Sequence, residues 1–194
     1  MQNASQTHAF TDQPSPWVQR FAALIPDGEV LDLACGGGRH ARLLASLGHP
    51  VVAVDRDSAA LRSAAGPLIE TQQIDLEVEG VRWPFSPGRF AGIVVTNYLH
   101  RPLLPHILHS LAPGGVLIYE TFAQGNEHFG KPSNPLFLLR TGELLELVAG
   151  VPGHALRILA FEDGYVESPK PAMVQRICAT RADSHLDPQR LRLN

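Results

Sequence analysis

Four polar residues carry the first chemical signal in this 194-residue chain. Asp55 and Asn97 each close a short apolar run, Asp75 ends the expected third strand, and Asp32 lies inside another run. Between Asp32 and Asp55 stands Cys35–Gly38, with three glycines in a row. Glycine lets a backbone come close to a ligand, and the amides that open the next helix favour an anionic group. Gly36, Gly38 and Ala41 fit the G-x-G-x-x-G/A spacing of a nucleotide-binding turn, with Asp55 at the distance of a ribose-binding acid. A carboxylate in mid-strand is costly to bury unless it is hydrogen-bonded. Asp32 therefore reads either as a cap on the glycine-turn amides or as a partner of the ligand.

Those residues need strand ends on one side of a sheet, and the rest of the pattern supplies them. Short β-branched runs alternate with helical stretches, as in βαβ units with a parallel sheet. Helices are expected at 17–25 behind Pro16, at 39–47 with Ala41, Leu44, Ala45 and Leu47 inward, at 58–65 and at 103–111. Strands are expected at 30–34, 51–54, 72–75, 91–96 and 116–121, with 77–89 mostly loop. Thr141 should cap a helix to Val148, and 155–161 with 172–179 should close the sheet as an antiparallel hairpin. In open α/β sheets ligands lie beyond the carboxyl ends of the strands, which joins the glycine turn, Asp55, Asp75 and Asn97 into one site.

Five segments, in order and spacing, resemble the ordered motifs of class I S-adenosylmethionine-dependent methyltransferases. They are VLDLACGGG at 30–38, VAVD at 52–55, QIDL at 73–76, GIVVTN at 92–97 and LAPGGVLI at 111–118. The resemblance covers about residues 15–180, and Gly38–Ala41 is similar to the small-molecule branch that includes tellurite-resistance methyltransferases. It implies an α/β, Rossmann-like three-layer sandwich with a seven-stranded, mostly parallel sheet whose last strand is antiparallel. It implies S-adenosyl-L-methionine as cofactor, with Asp55 on the ribose hydroxyls and Arg56 over an adenine face. Asp75 and the Leu76 backbone would hold the adenine edge, and Gly36 and Gly38 would lie under the methionyl part. Asp32 would support the loop or the amino group, and Asn97 would offer its carbonyl to the ammonium. Ala34 departs from the pattern, since many relatives have Gly there.

Beyond those motifs, Tyr98 and His100 follow Asn97 at the strand mouth, and His100 is the candidate base if an acceptor must lose a proton. The loop 122–140 is long for a compact domain, so Asn126 and His128 are expected to reach inward as acceptor-binding residues, with 125–135 acting as a lid. His106 and His109 share a helix face but have no carboxylate or thiol at ligand spacing, so no metal is expected. Trp83–Phe85 should pack against the sheet edge.

Bulk properties narrow the classes further. With 44% hydrophobic and 18% charged residues the chain reads as a soluble globular domain at 15–181, with a loose arm at 1–14 and a tail at 182–194. It shows no secretory signal and no run of the roughly 20 apolar residues that a membrane span needs. Cys35 and Cys178 give no disulfide framework, which fits a reducing cytoplasm. A net charge of −3 disfavours a nucleic-acid surface, and no pattern speaks to oligomeric state. A small-molecule or metalloid acceptor leads. An RNA or protein acceptor, a non-catalytic cofactor-binding module and, against Asp32, an NAD-dependent oxidoreductase are the alternatives.

Overall fold

The computed structural model describes residues 12–149 and 156–182. The expected arm, tail and start of the last hairpin at Ala155 therefore lie wholly or largely outside the described residues. Chain order is α1 (Pro16–Phe21), β1 (Val30–Leu33), α2 (Arg39–Ser46), β2 (Val51–Asp55), α3 (Ser58–Ala64), β3 (Ile69–Gln73) and β4 (Phe90–Thr96). Then follow α4 (Leu104–Ser110), β5 (Leu111–Phe122), α5 (Glu143–Ala149), β6 (Leu156–Val166) and β7 (Ala172–Arg181).

The strands form one seven-stranded sheet in the order β3-β2-β1-β4-β5-β7-β6. The pairs from β3 to β5 are parallel, and β7 runs antiparallel to both β5 and β6. This is the expected Rossmann-like sandwich with its single reversed strand. β1, β2 and β4 are buried along nearly their whole length, as strands covered on both faces must be. Alternate residues divide between two cores. Leu31, Leu33, Ile93 and Val95 pack with α4 and α5, while Val30, Ala53 and Val94 pack with α1, α2 and α3.

Local chemistry explains the boundaries. Ser15 caps α1 by accepting the Trp17 amide, with Pro16 at the first helical position. Asp57 caps α3 by accepting the amides of Ala59 and Ala60. β3 lies three residues earlier than 72–75, in register with Val51–Asp55, so Asp75 follows the strand rather than ending it. As the partly exposed edge strand, IETQQ carries too little apolar signal to mark itself. Leu47 is 48% exposed rather than inward, because α2 ends at Ser46. The Pro113–Gly115 turn lies within β5, which starts at Leu111 opposite Phe90 and shifts register before Val116. α5 begins at Glu143, two residues past Thr141, with the Gly142 amide bonded to Asp163. Trp83 and Phe85 pack edge to face at 5.2 Å, but against Phe90 of the central β4 and against α4, where the Trp83 indole donates to Ser110, rather than against the sheet edge.

Candidate active site

The order of the sheet reverses between β1 and β4, and a cleft of about 250 Å³ opens at their carboxyl ends. Two residues on its lip, Ala34 after β1 (φ 54°) and Asn97 after β4 (φ 55°), are left-handed without being glycine. A Cβ makes that conformation cost about 1–2 kcal/mol at Ala34, whereas asparagine adopts it more readily, so the strain at this mouth sits mainly on Ala34. At Ala34 the backbone takes the shape a glycine would adopt freely, and the departure from the family pattern keeps the geometry.

Asp55 ends β2 with both oxygens engaged. Oδ2 accepts the Gly36 amide at 2.8 Å and Oδ1 the Asp57 amide at 2.9 Å. A carboxylate has about four acceptor positions, which leaves room for two hydroxyl donors. Asp75 accepts the Glu77 amide and stands exposed on the same cleft, with Leu76 buried beside it. Arg56, 66% exposed, reaches Glu77 at 3.7 Å on the opposite wall. Three carboxylates, of Asp55, Asp75 and Glu77, face one guanidinium, so the cleft is acidic.

The two glycines of the turn differ. A Cβ built on Gly36 meets nothing within 4 Å, so its backbone is open to a ligand. A Cβ on Gly38 would stand 2.5 Å from the Ala64 Cβ. Gly38 is thus required by the packing of α2 on α3, a reason for glycine that stands beside the expected approach of the cofactor. Asp32, 1% exposed, receives the Ala41 amide, but its Oδ2 has no partner. Burial pushes its carboxyl up to about 7, against the opposing pull of that amide and of Arg39. A buried, half-satisfied acid beside an open glycine turn fits a site for a polar, cationic group such as an α-ammonium.

His40 was not among the residues singled out in the sequence, though it follows the glycine turn directly. It is buried, accepts the Ser15 amide through Nε2 at 3.1 Å and meets Thr96 Oγ1 at 3.3 Å. Burial pushes it down to about 3, with Arg39 adding to the effect. Ser15 in turn donates to Glu120. His40 thereby ties the start of α1 to the carboxyl ends of β4 and β5.

Tyr98 lines the cleft, and its phenol is pushed up by burial and by Glu77. Its carbonyl accepts the hydroxyl of the fully buried Tyr119. His100 is half-buried and follows the strand mouth, preceding the short turn Arg101–Leu103. Tyr98 is hydrogen-bonded through its side chain to the Glu77 carboxylate on the cleft wall. Asn126 and His128 are not placed as expected. Asn126 is 2% exposed, and its amide is spent within the fold, donating to the Pro132 carbonyl and accepting the Met173 amide. The His128 side chain is 78% exposed. The far end of the long loop is pinned, as Arg101 forks onto Glu143 and also donates to the Leu136 and Leu138 carbonyls. His106 stacks on Trp83, and among the described residues no group of His, Cys, Asp and Glu could hold a metal ion.

A second cavity of about 550 Å³ shares Asn97 with the first and is lined by Phe122, Lys131, Phe137 and Lys170. None of these last four was singled out in the sequence. Lys131 does fall in the 125–135 segment expected over the acceptor, and a further signal was that Lys131 and Lys170 are the chain's two lysines, both in loops near the strand ends.

A family model described as a methyltransferase domain matches residues 30–115, the segment that carries the glycine turn, Asp55, Asp75 and Asn97. Protein-L-isoaspartate O-methyltransferase of Chlorobaculum tepidum is 34% identical over 60% of this chain and 54% of its own length. A trans-aconitate 2-methyltransferase of Azoarcus sp. is 30% identical over 73% of this chain and 57% of its own. The chain spans about half the length of these curated relatives. Among solved structures, a SAM-dependent methyltransferase of Methanosarcina mazei aligns with a TM-score of 0.66 at 18% identity, covering 88% of this chain and 99% of that one. TehB of Haemophilus influenzae aligns with a TM-score of 0.67 at 19% identity, over 88% and 63%. These two share the fold.

Proposed function

Residues 30–115 are a class I, S-adenosylmethionine-dependent methyltransferase domain, and from that premise we propose that the chain transfers a methyl group to a small-molecule or metalloid acceptor. The observation that carries the reading is the cleft itself, lined by Asp55, Asp75, Leu76 and Asn97 at the carboxyl ends of the strands, with Gly36, whose amide Asp55 accepts, left open. Held by these residues, S-adenosylmethionine would supply an electrophilic methyl carbon, carried on a cationic sulfur, to an acceptor's lone pair, with the displaced bond pair remaining on sulfur in S-adenosylhomocysteine.

The chain's own residues bind and align. Asp55 accepts the two ribose hydroxyls, a charge-assisted contact. Asp75 and the Leu76 backbone take the adenine edge, and Arg56 covers a ring face. Asp32 and the Asn97 carbonyl receive the ammonium, and Gly36 leaves its backbone clear beneath the methionyl chain. Gly38 serves by holding α2 on α3. Such a transfer needs alignment at about 3 Å more than it needs proton chemistry. His100 is the base, with Tyr98 beside it, for an acceptor that must lose a proton.

The relatives' names bracket the acceptor, one being a protein isoaspartate and the other trans-aconitate. The second cavity, about 550 Å³, has the size of a small-molecule pocket, which favours the latter kind. Among the described residues no helix is long and apolar enough to cross a membrane. Cys35 and Cys178 are buried and unpaired, in keeping with a cytoplasmic setting. Calorimetric titration with S-adenosylmethionine and S-adenosylhomocysteine, followed by a search of small-molecule extracts for label from methyl-labelled cofactor, tests the proposal. Binding with label in a small product is expected. Absence of cofactor binding, or label appearing only in protein or RNA, overturns it.

A further inference from the structure

The two cavities that meet at Asn97 carry opposite charge. The cofactor cleft sets Asp55, Asp75 and Glu77 against Arg56, whereas the second cavity has Lys131 and Lys170 and no carboxylate in its lining. These are the chain's two lysines, against fourteen arginines. Half of the arginines are committed to ion pairs: Arg20, Arg42, Arg56, Arg89, Arg101, Arg140 and Arg176 each pair with a carboxylate. Among the described residues neither lysine has an acidic partner. The Lys170 ammonium lies 5.4 Å from the centre of the Phe122 ring, a contact that steadies it at the wall and consumes none of its three donors.

The lysines arrive from different parts of the chain. Lys131 comes from the loop after β5, which Asn126 fixes through the Pro132 carbonyl next to it. Lys170 comes from the turn between β6 and β7, and the Asn126 carbonyl oxygen also holds Met173 on that side. One buried amide thus fixes the two segments that bear the charges. Between them Phe122 and Phe137 give the cavity an apolar wall.

We propose that this second cavity is the acceptor pocket and that its acceptor is a small anionic molecule, a carboxylate or phosphate, whose charged oxygens are held by Lys131 and Lys170. The assignment rests on the methyltransferase reading and names its substrate class. An anionic acceptor beside a cationic sulfonium is drawn toward the methyl group, and lysine ammoniums hold oxyanions as point charges without demanding a fixed fork. Where the methylated atom is itself a carboxylate oxygen, the product is an ester and no proton has to be removed.

The test titrates citrate, glycerol 2-phosphate, selenite and uncharged glycerol onto the full chain, both free and saturated with S-adenosylhomocysteine. It then compares the wild type with Lys131→Gln/Lys170→Gln and with an equal-charge control, Arg62→Gln/Arg82→Gln. The expected result is salt-sensitive binding of citrate or glycerol 2-phosphate that weakens about tenfold or more in the lysine variant alone. S-adenosylhomocysteine affinity should be the same in all three proteins. With methyl-labelled cofactor and a panel of carboxylates, phosphate esters, amines and thiols, KM for the accepted anion should rise more than kcat falls. Equal binding of glycerol and the anions, an unaffected lysine variant, or transfer confined to selenite or to uncharged acceptors overturns the inference. Loss of S-adenosylhomocysteine binding would instead strike the methyltransferase reading, and the anion titration on free protein still decides the role of the lysines.

Discussion

The two cavities that share Asn97 are built on different principles. The cofactor cleft is made by main chain: strand ends, a glycine turn, and side chains such as Asp55 whose oxygens are themselves held by amides. The second cavity is made by loops, and its charged side chains are exposed and joined to nothing acidic among the described residues. A wall of main chain tolerates almost no change, because each piece is fixed by the sheet. A wall of loop side chains can be altered without cost to the core, which is where acceptor choice can vary on a constant scaffold. Substitutions in the first region should therefore disturb folding or cofactor affinity, and those in the second acceptor handling.

The largest effect should come from the turn itself. Gly38→Val places branched carbon where 2.5 Å separates the new Cβ from Ala64, at a left-handed φ of 77°. Strain and overpacking together should cost about 3 kcal/mol or more, read as a lowered midpoint in chemical denaturation. Gly36→Ala, facing open space at φ 52°, should cost only about 1–2 kcal/mol and remain folded. Equal midpoints for the two variants would contradict the packing account of Gly38.

Next in size is Asp55→Ala. Removing a charged acceptor should weaken S-adenosylmethionine binding by about 1.5–3 kcal/mol in calorimetric titration. Because the same carboxylate holds the Gly36 and Asp57 amides, a smaller loss of stability should accompany it. Unchanged affinity would remove Asp55 from the ribose.

The contrast between the regions also marks what could be read in the sequence. Strand ends and a glycine turn leave local signatures, because apolar runs, an acid at fixed spacing and a break in the pattern all fall within a few residues. Hence β1, β2, β4, Asp55 and Asn97 were legible. β3 was misplaced because an edge strand with one face in solvent needs no continuous apolar run. The packing reason for Gly38 was hidden, since its contact with Ala64 joins positions 26 apart. The second cavity gathers residues from 97, 122, 131–137 and 170, and that assembly depends on β7 inserting between β5 and β6. Asn126 was noticed for its place in a long loop, yet its role as a pin needs Met173, brought near only by the β5–β7 pairing.

A third prediction separates pin from ligand in that loop. Asn126→Ala deletes two hydrogen bonds of a buried amide and should cost about 1–3 kcal/mol. Hydrogen exchange should quicken locally over 123–140, with cofactor affinity unchanged. His128→Ala, at an exposed position, should stay within about 0.5 kcal/mol of the wild type. If the two variants exchange alike, the loop is held by something other than Asn126.

The smallest effect concerns pH, and it is small because two large ones oppose each other in the main-chain region. Burial raises Asp32 from 3.8 to about 7 and lowers His40 from 6.5 to about 3. Between pH of about 4.5 and 6.5 the unfolded chain has Asp32 ionised, whereas the folded chain keeps it protonated. The native state then binds one more proton, so stability falls as pH rises, at about 1.4 kcal/mol per pH unit. For His40 the unfolded chain is protonated and the native imidazole is neutral, since Nε2 must accept the Ser15 amide. The unfolded state binds one more proton there, and stability rises with pH at a similar slope. Against its own burial, Glu143 is held below the ordinary carboxylate range by Arg101 and the Arg140 amide, and it adds stability that is lost toward the acid end of the window. The wild type should accordingly show a nearly level stability from pH 4.5 to 6.5 in urea denaturation. Asp32→Asn should unmask a rise with pH on the order of 2 kcal/mol across the window, and His40→Gln a fall of similar size. A steep wild-type slope with both single variants level would show that these two buried groups do not titrate against each other. The same balance should break when cofactor binds, because an ammonium beside Asp32 favours its ionised form and leaves His40 untouched. Calorimetry of S-adenosylmethionine binding at pH 6, in buffers of different ionisation enthalpy, should then record release of up to about one proton, and Asp32→Asn should abolish it.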